Sequence, residues 1–256
     1  MKTLSNLIAV SSLLLFISSC KKEAIPTTGT LTSISNSSEL DAGNGDCDRR
    51  WFGLYANGIN PDDTITQKSL IKNGVAQLPA VNWYNYHTGI DYNIPLCHEI
   101  SADCITFEVR LKNPSDGSGA IYDYEVALQL YGSEKLYGSS TFSEIYFVAN
   151  SSAQNYSHIW IGNEQLWNLP ELVHYFGDYE TLTLQIKDNV LSIFREGSLV
   201  KAVPYESTHL GRLRRIGIGF KGTGTADWVK LYNSKSGTQI MQEDFNVDGK
   251  SNVIWF

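Results

Sequence analysis

The chain is short of positive charge. It has 20 Lys and Arg residues against 27 Asp and Glu residues, so its formal net charge at pH 7 is -7. Phosphate backbones and anionic lipid surfaces attract clustered cations. The densest basic group, Arg212, Arg214 and Arg215, is typical of a solvated strand entry. The composition therefore argues against nucleic acid as a partner.

Sequence signatures of hydrolytic enzymes are also missing. There is no G-x-S-x-G and no H-E-x-x-H, and the five histidines are scattered, which excludes a nucleophile elbow and a zincin helix. A G-x-G-x-x-G occurs at 217–222, but Thr223-Gly224-Thr225 and another strand pattern follow it. A dinucleotide site requires a helix at that point. No single motif therefore names a reaction.

Apolar runs long enough to cross a membrane are absent as well. Leu7–Ile17 has about half of the roughly 20 residues that a spanning helix needs, and serines interrupt it. A single positive charge at Lys2 precedes the run, and two serines and Cys20 follow it. This arrangement predicts a cleaved export signal over residues 1–19.

The segment Leu-Phe-Ile-Ser-Ser-Cys, ending at Cys20, resembles the lipobox of bacterial lipoproteins. The resemblance implies cleavage before Cys20, a diacylglyceryl thioether on its sulfur and an acyl group on its new amino terminus. Each buried methylene contributes about 0.8 kcal/mol, so several acyl chains would hold the protein on a membrane. The alternative is an ordinary secretory signal in which Cys20 is incidental.

The residues after Cys20, CKKEAIP, resemble the start of surface lipoproteins of Bacteroidetes-type bacteria. This implies an outer-membrane lipoprotein of the bacterial cell envelope, facing either the periplasm or the cell surface. Residues 20–45 are rich in Ser, Thr, Gly and Asn, which predicts a lipidated cysteine followed by a flexible tether. Residues 46–256 are predicted to form one β-sandwich domain.

Cysteines are few, and lipidation of Cys20 leaves Cys47, Cys97 and Cys104 in a compartment that permits disulfides. Cys97 and Cys104 bracket a short loop, whose closure contributes about 2 to 3 kcal/mol in the chain-entropy model. We therefore predict a Cys97–Cys104 disulfide, and pairing of Cys47 with either stays open. Without a C-x-x-C spacing, no zinc site is predicted.

Helical periodicity is almost absent after Cys104. Residues 105–112 alternate between apolar and polar side chains, which is typical of a half-buried strand. The segment 181–204 has two polar turns, Asp188-Asn189 and Glu196-Gly197, and therefore predicts two successive hairpins. A single helical turn is expected after Pro170.

Further strands are predicted at 124–130, 144–149, 157–162, 213–220, 226–232 and 239–245. Many short strands at this spacing predict an all-β fold, a two-sheet antiparallel β-sandwich.

Two segments carry a fold-level resemblance, TLTLQIKDNVLSIFREGSLVKAVPY and RRIGIGFKGTGTADWVKLYNSKSGTQIMQEDFN. They resemble the core and closing strands of laminin-G-like and concanavalin-A-like jelly rolls, over roughly residues 104–246. The resemblance implies a jelly-roll, concanavalin-A-like domain outside the cytoplasm whose concave sheet or loop rim often binds glycans. The same fold hosts lectins, glycosidases and adhesive modules.

Aromatic residues interleaved with short polar residues are what a glycan site requires, since sugar C–H faces stack on rings while polar groups bind hydroxyls. The segments 82–93 and 160–167 have this composition. The predicted ligand-binding residues are Trp83, Tyr84, Tyr86, Asp91 and Asn93.

For catalysis, glycoside hydrolysis needs two carboxylates facing each other across the scissile bond. The best pair is Glu108 and Glu125, which both project from the polar side of predicted strands. The E-x-D-x-x-E strand signature of laminarinase-like jelly-roll glycosidases is missing. The pair is therefore the weaker hypothesis.

A calcium loop is suggested by Asp244, Asn246 and Asp248, which match the first half of D-x-[DN]-x-[DN]-G. The twelfth position is Trp255 instead of the bidentate Glu. No cofactor is predicted other than a structural Ca²⁺ at this turn, and a polar turn is the alternative.

The sequence thus predicts a lipid-anchored jelly-roll protein of the cell envelope that binds carbohydrate without cleaving it. The first alternative is a glycoside hydrolase on the same fold, and the second is a structural or adhesive surface module.

Overall fold

The computed structural model describes residues 70–78, 88–95, 98, 100–114, 124–135, 142–162, 164–206 and 210–256. At 88, 91, 93, 133–135 and 142–144 it describes the backbone only. The described strands, in chain order, are β1 (Ile71–Lys72), β2 (Val75–Leu78), β3 (Thr88–Asn93), β4 (Ile105–Lys112), β5 (Glu125–Lys135), β6 (Phe142–Asn150), β7 (His158–Ile161), β8 (Glu164–Leu166), β9 (Glu180–Lys187), β10 (Val190–Arg195), β11 (Ser198–Pro204), β12 (Leu213–Lys221), β13 (Gly224–Asn233), β14 (Gln239–Glu243) and β15 (Ile254–Trp255).

These strands form two antiparallel sheets. The first sheet has the order β1-β2-β13-β4-β9-β10-β11, with β14 paired to β13 and β15 paired to β14. The second sheet has the order β3-β12-β5-β6-β7-β8. The predicted all-β, two-sheet antiparallel sandwich is therefore confirmed.

The core lies between the sheets, where period-two alternation points apolar side chains inward. On β4, Ile105, Phe107, Val109 and Leu111 are fully buried. Inward residues of the second sheet, such as Leu128, are buried in the same cluster. Each large aliphatic or aromatic side chain buried in this way contributes about 1.5 to 3 kcal/mol. The alternation predicted over 105–112 is confirmed.

The two predicted hairpins are β9–β10 and β10–β11. Their turn residues all have positive φ, at 51° and 61° for Asp188 and Asn189 and at 49° and 73° for Glu196 and Gly197. Two successive positive φ angles define the type I′ turn, whose twist matches that of the flanking strands. The helical turn expected after Pro170 is a 3-10 turn at Pro170–Leu172.

Cys104 is disulfide-bonded. The other three cysteines of the chain lie outside the described residues, so the Cys97–Cys104 pairing stays a prediction. The lipobox and the tether lie outside them too. Within the described ranges, no helix is long and apolar enough to span a membrane.

Candidate functional site

One row of outward side chains crosses the second sheet in register. Gln129 on β5 is opposite Tyr146 on β6, which is opposite Trp160 on β7, which is opposite Gln165 on β8. Because their neighbours on β5, β6 and β7 point into the core, Gln129, Tyr146 and Trp160 point away from it. Gln165 continues the row on β8, whose residues are all exposed. We call the outward surface around this row the aromatic face.

The centre of the aromatic face is a pair of stacked rings. The ring centroids of Tyr146 and Trp160 are 5.5 Å apart, with an interplanar angle of 21°. The indole N–H of Trp160 donates a hydrogen bond to the Gly162 carbonyl, which fixes the ring at the end of β7. Both residues are partly exposed. The pair therefore presents partly exposed ring surface that the stacking and the hydrogen bond hold in place.

Two further rings continue this surface at the sheet margin. The ring centroids of Trp167 and His158 are 4.2 Å apart, and those of Tyr146 and His158 are 5.6 Å apart in an edge-to-face arrangement. Trp167 is 46% exposed, and its indole N–H donates to Gln165 Oε1 at 2.7 Å. The His158 Nδ1 bonds to the Tyr156 carbonyl at 2.8 Å. An exposed tryptophan is thus held in place without being buried.

On the other side of the rings, the row continues through Gln129 to a glycine on β12. Gly217 on β12 is opposite Gln129 and has no side chain to fill the row. Tyr131 donates from its hydroxyl to Gln129 Oε1 at 3.0 Å, and the Arg215 guanidinium lies 3.7 Å from the Tyr131 ring centroid. A glycine at such a strand position allows close approach to the backbone. Gly217 is itself buried, so neighbouring atoms already cover this position of the row.

Glu125 lies at the buried end of this face and has a structural role. It is 8% exposed, and its Oε1 accepts a hydrogen bond from Asn150 Nδ2 at 2.9 Å. Asn113 Nδ2 donates to the carbonyls of Glu125 and Lys221. These contacts join β5, β6 and β12 to the end of β4.

Glu108 lies on the opposite outer surface. It projects from β4 of the first sheet, where Lys230 and Thr183 flank it on the neighbouring strands. Burial raises the pKa of Glu108, and the positive charge of Lys230 opposes that shift. Glu108 and Glu125 therefore face away from each other across the core, on sheets packed about 10 Å apart. The prediction that they form a catalytic pair is wrong, since each belongs to a different sheet.

The other predicted ligand residues are only partly described. Trp83, Tyr84 and Tyr86 lie outside the described residues. The backbone positions of Asp91 and Asn93 are on β3, in register with Gly217 and Arg215. They therefore belong to the rows of the aromatic face, and their role in binding stays a prediction.

Sequence reasoning missed the centre of the site. The composition of 160–167 indicates Trp160 and Trp167, and strands are predicted at 124–130 and 144–149, but nothing in the sequence marks Gln129, Tyr131 or Tyr146 as neighbours of those rings. Only the strand register brings them together.

The predicted calcium turn is held by protein contacts. Both carboxylate oxygens of Asp244 accept hydrogen bonds from Gln242 Nε2, at 2.8 and 2.7 Å. Asp248 Oδ1 accepts a bond from the Asn73 backbone N–H at 2.8 Å. Among the described residues, no group of three or more His, Cys, Asp and Glu could hold a metal ion. Calcium binding at Asp244, Asn246 and Asp248 stays a prediction.

Glu243 organises that turn instead. Its side chain is fully buried and accepts hydrogen bonds from the backbone N–H groups of Phe245 and Asn252, at 3.0 and 2.8 Å, and from the Ser251 hydroxyl. It therefore ties the end of β14 to the segment before β15.

No protein-family model and no curated protein matches the chain. Solved structures do match it. One belongs to endo-acting O-glycanases that prominent members of the human gut microbiota express to initiate mucin breakdown. It matches at a TM-score of 0.50 and 13% identity, over 77% of this chain and 99% of that chain.

A family 16 endo-glucanase from Bacteroides ovatus matches at a TM-score of 0.45 and 14% identity, over 73% of this chain and 98% of that one. An endo-β-1,3-glucanase from Pyrococcus furiosus matches at a TM-score of 0.43 and 16% identity, over 63% of this chain and 76% of that one. At such identities the likeness is one of fold. The chain has a concanavalin-A-like jelly roll, a fold that occurs in carbohydrate-active proteins.

Proposed function

We propose that the protein is a carbohydrate-binding protein of the bacterial cell envelope, anchored by lipid on Cys20, whose aromatic face binds a glycan without cleaving it. The observation that carries the proposal is the stacked and partly exposed pair of rings, Tyr146 and Trp160. Partly exposed aromatic rings suit the C–H faces of sugars, and the flanking amides of Gln129 and Gln165 suit their hydroxyl groups.

The outer face of the first sheet is less suited to stacking because cations cover its rings. Lys112 Nζ lies 4.5 Å from the ring centroid of Tyr179, and Lys230 Nζ lies 4.4 Å from the ring of Trp228. A sugar would have to displace these charges. The rings of Tyr146 and Trp160 instead pack on each other.

The acidic residues of the aromatic face are widely spaced at the backbone. On the described part of the aromatic face, the acidic positions are Asp91 on β3, Glu144 on β6 and the buried Glu125. Three strand spacings separate β3 from β6, which places the backbones of Asp91 and Glu144 at least about 14 Å apart. Glycosidase carboxylates lie roughly 5 to 9.5 Å apart.

The second candidate function is glycoside hydrolysis on the same face. The likeness in fold to the O-glycanase structure favours it. A structural or adhesive module is the third. A glycan array, thermal melting with the glycans that bind, and a reducing-sugar assay separate the three, because a ligand that binds only the folded state raises its stability by RT ln(1 + [L]/Kd).

We expect array binding and a ligand-dependent rise in melting temperature without release of reducing sugar. Release of reducing sugar would favour the hydrolase. If the protein neither bound glycans nor released reducing sugar, the structural or adhesive module would be the remaining function.

The lipid anchor rests on the sequence up to Cys20. We expect the protein to fractionate with membranes in a bacterial host and Cys20→Ser to move it to the soluble fraction. A wild-type protein that carries no acyl mass and is soluble would contradict the anchor.

A further inference from the structure

Trp167 has an exposed ring that is nevertheless held from two sides. The side chain is 46% exposed. Its indole N–H donates to Gln165 Oε1 at 2.7 Å, and its ring centroid lies 4.2 Å from that of His158, at an interplanar angle of 33°. An exposed ring that is already fixed loses little conformational entropy when a ligand covers it. Trp167 therefore has the properties of a binding surface.

Trp167 lies on the same side of the second sheet as the stacked pair of Tyr146 and Trp160. His158 and Trp160 are two residues apart on β7, so both side chains point outward. The ring of Tyr146 contacts both of them, with centroid distances of 5.5 Å to Trp160 and 5.6 Å to His158. Because Trp167 contacts His158, the rings form one continuous series in the order Trp160, Tyr146, His158 and Trp167.

This series of rings extends further than one sugar. Leu166 pairs with Ile159, so Trp167 comes next to His158, two strands away from Tyr146 and two residues further along. At about 4.8 Å between strands and about 3.4 Å per residue, the backbones of Tyr146 and Trp167 are about 12 Å apart. A sugar ring is similar in size to one aromatic ring. A single sugar stacked on Tyr146 therefore leaves Trp167 uncovered.

The exposed surface continues towards Trp167 and not towards β12. Among the described residues, β8 is the last strand of the second sheet on that side, and its three residues are all exposed. In the other direction, the outward positions Gly217 on β12 and Ala127 on β5 are buried. A ligand on the stacked pair therefore finds further exposed ring surface at Trp167.

We infer that Trp167 forms a second stacking site, and that the aromatic face binds a linear chain of several sugars running from Tyr146 and Trp160 over the β8 margin. Gln165 is the positioning residue of this site, because its amide oxygen holds the Trp167 indole. The inference rests on the proposed glycan binding and adds the ligand class, an extended chain instead of a single terminal sugar.

Two series of linear oligosaccharides test the inference by isothermal titration calorimetry with the full chain. They are laminari-oligosaccharides and chito-oligosaccharides of two to six sugars. We expect the affinity of a series that binds to rise with chain length, with a step of about two- to tenfold at the length that reaches Trp167, as for one additional aromatic contact.

Trp167→Ala should remove this step and leave the affinity for the shortest ligand that binds unchanged, whereas Trp160→Ala should weaken binding at every length. Gln165→Ala should reduce the step because the indole is no longer held. Gln165→Glu keeps an oxygen that accepts the indole N–H and should restore the step. Trp228→Ala, on the outer surface of the first sheet, is the control and should leave both series unaltered.

Loss of the step in Trp167→Ala, with wild-type affinity for the shortest ligand, supports the inference. Equal affinity at all lengths in the wild type would overturn it and leave glycan binding standing. So would a step that persists in Trp167→Ala, with a melting curve showing that the variant folds. Absence of binding by every member of both series would also overturn it, and the glycan array then decides whether the proposed function fails as well.

Discussion

Tyr146 and Trp160 lie directly opposite each other on β6 and β7, with their ring centroids 5.5 Å apart. Cross-strand aromatic pairs of this kind stabilise a sheet by about 0.2 to 1 kcal/mol. The inward neighbours of the pair, such as Phe147 and Ile159, already supply the core. The outward pair is therefore a surface feature that costs little to remove.

The first prediction follows from that separation of core and surface. Trp160→Ala should weaken glycan binding at least tenfold, since loss of a stacking ring removes most of its contact with a sugar, and should lower the free energy of unfolding by only about 1 kcal/mol. Glycan titration and urea unfolding measure the two effects.

Trp228→Ala is the matched control for this variant. Trp228 is also partly exposed and projects from the outer surface of the first sheet, beneath Lys230. The variant Trp228→Ala should therefore bind glycan with the wild-type affinity. Equal losses in Trp160→Ala and Trp228→Ala would contradict the assignment of binding to the aromatic face.

The second prediction concerns Glu108. Because Glu108 lies on the first sheet and the aromatic face on the second, Glu108→Gln should leave glycan affinity and any release of reducing sugar unchanged within a factor of about two. A large loss of either in a variant with a wild-type melting curve would show that the opposite face takes part.

Local pattern and sheet partnership differ in how far the sequence predicts them. The alternation at 105–112 and the turns at Asp188-Asn189 and Glu196-Gly197 depend on neighbours in the chain, and the structure confirms them. Glu108 and Glu125 were each correctly placed on the polar side of their own strand. The chain pattern contains no signal for which sheet a strand joins, so the pair was wrongly assigned to one surface.

The binding row shows the same limit. Tyr146 and Trp160 are paired by the register of β6 and β7, and a shift of one residue would turn the rings into the core. Gln165 lies on β8, whose three residues are all exposed and show no alternation. The sequence therefore predicts neither this strand nor its place in the row. The composition of 160–167 was the one local clue.

The third prediction concerns the buried carboxylate of Glu243. Glu243→Ala removes the acceptor for Phe245 N–H, Asn252 N–H and the Ser251 hydroxyl. Leaving buried donors without a partner costs about 1 to 3 kcal/mol each, so the free energy of unfolding should fall by about 3 kcal/mol or more. The shift of the urea midpoint at constant slope measures it.

Asp244→Ala is the control for the turn. Asp244 is next in the chain and is only partly buried, with its carboxylate bonded to the Gln242 amide. Its loss should cost about 0.5 kcal/mol. If Asp244→Ala were as destabilising as Glu243→Ala, the turn would depend on Asp244, as the calcium hypothesis requires.

The fourth prediction is a loss of stability in alkali. Burial raises the pKa of the Tyr92 phenol well above its usual range, and the negative charge of Glu243 adds to the shift. The unfolded chain releases this proton near pH 10, whereas the folded protein keeps it. The contribution to stability is therefore complete below pH 10 and declines as the pH rises above it, by up to about 1.4 kcal/mol per pH unit for each such group.

Burial and the charge of Asp103 also raise the pKa of Tyr205, so two groups should share the decline. Unfolding free energies between pH 8 and 11.5 should fall less steeply for Tyr92→Phe than for the wild type. Tyr156→Phe, at an exposed tyrosine, is the control and should keep the wild-type slope. Identical slopes in Tyr92→Phe and the wild type would contradict the role of Tyr92.

The fifth prediction concerns close backbone packing at Gly132 on β5, which pairs with Leu213 on β12. A Cβ at this position would overlap the backbone carbonyl of Leu210, and a backbone atom has no rotamer by which to move away. Gly132→Ala should therefore lower the free energy of unfolding by about 3 kcal/mol.

Gly197→Ala is the control. At Gly197 a Cβ meets no atom but φ is +73°, so alanine should lower the free energy of unfolding by only about 1 kcal/mol, from backbone strain. Urea unfolding of the two variants compares these effects, and equal losses would mean that the strands separate to admit the methyl group at Gly132.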